Sequence, residues 1–256
     1  MIVRSTQPVR TARAGFTLLE VLVVISVIAI LVAVMLPAMS ACRRAARNLK
    51  CTSQLRTVAI EFRFFADDFA AQRGASDAYG EKLFNVVDFV DSLYRVGAFW
   101  DQPDTTPTTY VPGRESMMCP EGPGLLKRKP ALPCNQGGVW PAANVSVAVN
   151  MRLYRATEIR GGRPVLEPKL VGSNILEHPN VPLALDGDGE AADSKGETAY
   201  FTAPPTGNPD HYAAGRYWFP SYRHGERLNV ALLDGSVHAT HDPLAEPGWN
   251  WTYQPK

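Results

Sequence analysis

Residues 11–48 read TARAGFTLLEVLVVISVIAILVAVMLPAMSACRRAARN, and this stretch decides the architecture. From Phe16 to Met39 run 24 residues, of which only Thr17, Glu20 and Ser26 are polar. About 20 apolar residues suffice for a helix to cross a bilayer, so residues 16–39 are expected to span one. Fifteen of the 24 are Leu, Ile, Val or Phe. At about −0.3 to −0.6 kcal/mol each they supply about −4.5 to −9 kcal/mol for insertion, against about +3 kcal/mol for a central carboxylate. Insertion therefore survives Glu20, which lies near one end of the run. The arithmetic tolerates the acid without explaining it, and an ionisable group inside a span is by default a functional residue.

Basic residues bracket the run, with Arg4, Arg10 and Arg13 before it and Arg43, Arg44, Arg47 and Lys50 after it. The two clusters nearly balance, so loop charge alone does not orient the span. Over 256 residues there are 26 Lys and Arg against 25 Asp and Glu, for a net charge of +1. A nucleic-acid partner is not expected, because such proteins usually carry a basic excess or stripe. An apolar fraction of 45% predicts a folded globular part beyond the span. Pro and Gly crowd between residues 97 and 210, which predicts many loops there.

Three plain explanations compete for the run. A secretory signal peptide has an apolar core of only 7–15 residues and no acid at its front. A lipoprotein signal would use Met39-Ser40-Ala41-Cys42, but that box comes late and after too long a core. A plain single-span anchor leaves Glu20 accidental. The whole string fits something more specific: a basic leader ending in Gly15, then Phe16-Thr17-Leu18-Leu19-Glu20, then a continuous apolar stretch with Pro37 in its last part. This resembles the N-terminal signal of type IV prepilins and type II secretion pseudopilins, over residues 10–39.

The resemblance implies a series of expectations. A prepilin peptidase cuts between Gly15 and Phe16 and methylates the new amine of Phe16. Residues 1–15 are then a cleaved leader, 16–73 a long helix kinked at Pro37, and 74–256 an extracytoplasmic head. The chain is a single-pass protein of the cytoplasmic (inner) membrane, with its N-terminus in the cytoplasm, and can be extracted into a filament. Its partners are the peptidase, other pilin or pseudopilin subunits, an inner-membrane assembly platform and membrane lipid. It is a structural subunit, not an enzyme. Glu20 acquires a physical role: a lone buried amine and a lone buried carboxylate are each costly, and stacking subunits in one axial register pairs them.

The rest of the chain predicts an α+β head. Cys51, Leu55, Val58, Phe62, Phe65 and Phe69 fall on one helical face, which extends the first helix and is read as the surface that packs on the head. Residues 81–96, EKLFNVVDFVDSLYRV, predict a second helix ending at Gly97. The alternating Val145, Val147 and Val149 predict a half-buried strand, and VPLALDG another, within a small antiparallel sheet. LNVALLDGSVHAT predicts a hairpin around Asp234-Gly235. His224 precedes Asp234 by nine residues, which resembles the H-x9-DG element that ends a loop-rich subgroup of prepilin-like proteins. A strand between them keeps the two apart by up to about 30 Å, so they are not a catalytic pair. Gly235 supplies the turn, and His224 is expected to anchor a loop.

Candidate chemistry in the head is sparse. Cys119 and Cys134 flank a Pro/Gly-rich segment, and the alternatives are a bridge contributing about 3 kcal/mol and free thiols. Cys42 and Cys51 lie on opposite sides of one helix and are too far apart to pair. Asp186, Asp188 and Glu190 resemble the start of a calcium loop without the distal glutamate, which favours a solvated acidic turn. Some pseudopilins hold calcium in a head loop, so Asp186 and Asp188 are the candidate metal ligands; no other cofactor is expected. His238 and His241 are half a zinc ligand set. No G-x-S-x-G, P-loop or dinucleotide fingerprint occurs, so a membrane-anchored metal-dependent hydrolase or a plain anchored binding protein are the alternative readings. A side chain at Gly15 would obstruct the peptidase, so Gly15→Val should leave the leader attached. Mass spectrometry of the N-terminus checks this; a mature end at Phe16 in the variant, or at Cys42 in the wild type, contradicts it.

Overall fold

The fold comes from a computed structural model that describes residues 17–72, 75–76, 82–94, 108–129, 138–161, 163–205, 212 and 214–253. Gly15, Phe16, Gly97 and Cys134 lie outside the described residues. In chain order the elements are α1 (Leu18–Gln72), β1 (Ala75–Ser76), β2 (Lys82–Phe84), α2 (Val86–Leu93), β3 (Thr109–Tyr110), β4 (Leu126–Lys129), β5 (Gly138–Trp140), β6 (Val147–Asn150), β7 (Arg155–Arg160), β8 (Arg163–Pro168), β9 (Val171–Gly172), β10 (Pro182–Asp186), α3 (Gly189–Ser194), β11 (Phe201–Thr202), β12 (Leu228–Leu232) and β13 (Val237–Thr240). The chain is α+β, a long N-terminal helix followed by small sheets and loops. It divides into two compact units, Met1–Ala45 and Ala46–Lys256.

In the first unit every side chain from Leu18 to Met39 is exposed. An apolar sleeve of this extent is not tolerated in water. The polar interruptions are satisfied within the helix: the Ser26 hydroxyl donates to the Val23 carbonyl and the Ser40 hydroxyl to the Pro37 carbonyl, both at 2.8 Å. Pro37 removes one backbone donor without ending α1.

The second unit has one main core, built around the lower part of α1. Cys51, Leu55, Val58, Ala59, Phe62 and Ala66 have no exposed surface. Phe62 meets Phe84 and Phe89 edge-on at 5.9 and 5.0 Å, and Phe65 meets the same two rings at 5.8 and 5.5 Å. Such edge-to-face pairs add to the area they bury. The expected helix over 81–96 is shorter than its periodicity implied. Lys82–Phe84 is strand, because β2 is paired by β1 on one side and β9 on the other. The helix starts only after Asn85, whose side chain accepts from the Val87 N–H at 3.0 Å and caps it.

The main sheet has the order β11-β6-β10-β12-β13. All its pairs are antiparallel except β11 with β6, so the expected antiparallel sheet is mixed. β6, β10 and β12 are buried at every position. The half-buried strand read from the alternation of Val145, Val147 and Val149 is therefore covered on both faces. One face carries the main core with Leu183 and Ala231; on the other, Leu185, Val230 and Leu232 pack with Trp251, Trp218 and Trp249. The hairpin turn falls where expected: Gly235 has φ +88°, and Asp234 Oδ1 accepts from the Ser236 N–H at 2.8 Å.

One carboxylate in α2 sits against the grain of this core. Burial pushes Asp91 up to about 6, and Asp88 one turn earlier adds to the shift. It also lies in the last turn of α2, where a negative charge opposes the helix dipole. Folding therefore favours the protonated acid: the contribution of Asp91 to stability is complete below about pH 4 and is lost as pH rises through 6. Asp91→Asn should stabilise the chain by about 1 kcal/mol at pH 7, with the gain vanishing near pH 4. Melting temperatures across that range in detergent check it; a gain that persists at pH 4 contradicts the assignment.

Candidate functional site

Among the polar groups in apolar surroundings, two groupings bear on function. The first is the start of α1. The Thr17 N–H and hydroxyl donate to Glu20 Oε2 at 2.8 and 2.9 Å, and the Glu20 N–H donates to Thr17 Oγ1 at 3.3 Å. This is a reciprocal capping box, T-x-x-E, and it satisfies two of the donors that a helix start leaves unpaired. The sequence carries that signal openly, at the correct spacing.

The second grouping lies in the head. Cys51 from α1, Cys119 from the loop before β4, Asp186 at the end of β10 and His224 from the loop before β12 bring one donor atom each to within 4.8 Å of one another. The Cys51 thiol donates to Asp186 Oδ1 at 3.0 Å across 135 residues of sequence. Cys119 Sγ lies 3.1 Å from His224 Nε2 across 105 residues. Asp186 Oδ2 is 3.6 Å from the same nitrogen and accepts from the Asn229 N–H at 3.1 Å. Glu121 Oε2 approaches His224 Nδ1 at 3.1 Å, within ion-pair range though off the line of a good hydrogen bond. Cys51, Cys119 and Asp186 have no exposed surface, and neither does the His224 side chain.

Local sequence explains how each group arrives. Cys51 heads the apolar stripe of α1, so it enters the head with the core face. Cys119 is fixed through its N–H, which donates to the Ser146 hydroxyl at 2.9 Å. Asp186 ends β10, where the next residues leave the sheet. After His224 the chain turns through Gly225 and Glu226, both at positive φ (65° and 62°), a sharp reversal that delivers β12. The Glu226 carbonyl is engaged by His241 Nδ1 at 2.8 Å.

Electrostatics bind the four into one unit. The Cys51 thiol, His224 and the Glu121 N–H hold the Cys119 thiol below its usual value, against the burial that pushes it up. Burial and the charge on Cys119 lift Asp186 while His224, Arg223 and the Cys51 thiol pull it back, and the balance leaves it raised to about 6. Burial works to lower His224, but the hydrogen bond with Cys119 and the charges of Asp186 and Glu121 outweigh it and raise it.

The other expected site residues fall elsewhere. Asp186 is not in a solvated acidic turn, because the end of β10 is enclosed between α1 and β12. Asp188 is engaged separately: its Oδ1 accepts from the Ala191 N–H at 3.0 Å and caps α3. His238 meets Ser236 at 3.0 Å, and His241 accepts from Arg227 Nε at 3.2 Å, both at exposed positions. Asp234 is exposed in its turn, while His224 is a member of the buried cluster. The stripe bearing Cys51, read as packing only, also delivers a donor atom. Cys119 is a free thiol among these groups, whereas its candidate partner Cys134 lies outside the described residues.

Comparison with known proteins yields one match. Residues 10–36 match the family described as the prokaryotic N-terminal methylation motif. No curated protein and no solved structure matches the chain significantly. The segment is a prepilin-type signal, and α1 is the one helix among the described residues long and apolar enough to cross a membrane. Together they fit a single-pass membrane anchor of a type IV pilin-like processed subunit.

The Cys119–His224 pair has the chemistry of a thiolate nucleophile, but its burial opposes that use, since a catalytic sulfur must meet a substrate. Cys51 and Cys119 should therefore resist iodoacetamide in the folded chain and react only on denaturation, as peptide mass spectrometry will read. Rapid alkylation of Cys119 under native conditions restores the nucleophile.

Proposed function

We propose that the chain is a structural subunit of a type II secretion or type IV pilus-like filament, matured by prepilin peptidase between Gly15 and Phe16. The observation that carries this is the methylation motif over residues 10–36 lying on the apolar first part of α1, where every side chain from Leu18 to Met39 is exposed. In this reading the leader stays in the cytoplasm, the span anchors the precursor in the inner membrane and the head stands outside. The exposed sleeve of α1 is covered first by lipid and then by the helices of neighbouring subunits. The role is architectural, and partners are the peptidase, sister subunits and the assembly platform.

Glu20 then has two tasks. In the single chain its carboxylate caps Thr17. In a filament it would meet the methylated amine of Phe16, and pairing within the apolar helix bundle sets the axial register. The two tasks separate by mutation. Glu20→Gln keeps an N-cap acceptor but removes the charge, whereas Glu20→Leu removes both. Both variants should be cleaved and inserted, and both should fail to assemble, since loss of one member of a buried pair costs on the order of 3–5 kcal/mol. The measurement is crosslinking or sheared-filament recovery at equal membrane abundance. Normal assembly of Glu20→Gln would show that the cap, not the charge, is what matters.

A further inference from the structure

We propose that Cys51, Cys119, Asp186 and His224 form a closed structural zinc site that fastens the lower part of α1 to the head. The four donor atoms lie within 4.8 Å of one another and come from four separate segments. A tetrahedral zinc with sulfur at about 2.3 Å and nitrogen or oxygen at about 2.0–2.1 Å places its ligands about 3.3–3.8 Å apart. Cys51 Sγ to Asp186 Oδ1 at 3.0 Å and Cys119 Sγ to His224 Nε2 at 3.1 Å fall about half an ångström short of that spacing, and the four donor atoms all lie within 4.8 Å, so modest side-chain shifts let them surround an ion.

The donor set selects the metal class. Two sulfurs exclude calcium and magnesium, which take oxygen shells. One imidazole and one carboxylate beside two thiolates suit borderline zinc better than a purely soft ion. All four positions come from protein and none is exposed, which is the pattern of structural rather than catalytic zinc. The surroundings also match. Glu121 stands at the far nitrogen of His224, in the place where a carboxylate orients a zinc-bound imidazole. The Asn229 N–H holds the second oxygen of Asp186, and the Glu121 N–H bonds Cys119.

Charge and proton balance follow. Binding displaces two protons to solvent, the Cys51 thiol proton and the one held between Cys119 and His224, which leaves two thiolates and a neutral imidazole ligating through Nε2. Zinc with two thiolates and one carboxylate carries a net charge of −1, and the neighbouring Arg223, whose charge already acts on Asp186 and Cys119, offsets it. Without an ion the head must bury four titratable groups that only partly satisfy one another, which is a costly arrangement.

The site does not rest on the filament reading, and its test is independent of cleavage or assembly. The full chain is purified in detergent under reducing conditions, without a metal-affinity step, and its metal content is measured. About one zinc per chain is expected, with an X-ray absorption first shell of two sulfurs at about 2.3 Å and two lighter atoms at about 2.0 Å. Cobalt exchanged into the site should give the visible bands of a tetrahedral thiolate complex. Cys51→Ser should lose stoichiometric zinc. Glu121→Gln, which keeps every ligand, should weaken zinc affinity about 10–100-fold. No zinc after incubation with excess metal overturns the site, as does a first shell of nitrogen and oxygen alone. A Cys51–Cys119 disulfide in the purified wild type, found by non-reducing peptide mapping, also overturns it, because oxidised sulfurs cannot ligate.

Discussion

A carboxylate with no access to water governs the head. Asp186 receives the Cys51 thiol from α1, the Asn229 N–H from β12 and the approach of His224 from the preceding loop. Each partner belongs to a different element, so satisfying this one group fixes helix, central strand and loop together. Removing any single partner would leave a buried charge short of a donor, which costs more than the lost bond itself. The apolar core supplies most of the stabilisation, but it is tolerant of small slides. The bonds to Asp186 are not, and they specify where α1 docks along its own axis.

The first half of the architecture was legible because its signals are local. The apolar run, the stripe from Cys51 through Phe62, the turn at Asp234-Gly235 and the strand VPLALDG each declare themselves within a dozen residues. One expectation failed where tertiary pairing overrode a local period: Leu83 has helical spacing with Val86 and Val90, yet β2 is claimed by strands on both sides. The cluster was illegible for another reason. Its four members stand singly along the sequence, without the close pairs that mark most zinc sites, and only packing brings them together. The sequence offered Cys119 a nearer thiol at Cys134, and Asp186 a nearer acid at Asp188. The structure gives Cys119 and Asp186 partners far away in the chain.

Glu20 shows how one side chain can serve successive environments. A carboxylate inside an apolar run needs donors at every stage. In the single chain, Thr17 supplies them through its N–H and hydroxyl. That local bond lowers the cost of holding the acid in an apolar environment, and it places the carboxylate at the very end of the helix. In the filament proposed above, assembly asks of it an exchange of donors rather than the burial of a new charge.

The order of the main sheet bears on how such heads tolerate crowding. On one side the sheet ends in β11, which pairs over only two residues. On the other it ends in β13, four residues long, with exposed His238 and Ala239 and with Pro243 soon after its end. Sheet margins are where proteins pair by mistake, since an unpaired row of amides will accept any strand that matches it. A two-residue margin offers too little to template, and a short polar one bounded by proline discourages extension. Copies of such a head brought close together can thus touch repeatedly without fusing their sheets, which leaves recognition between them to side chains.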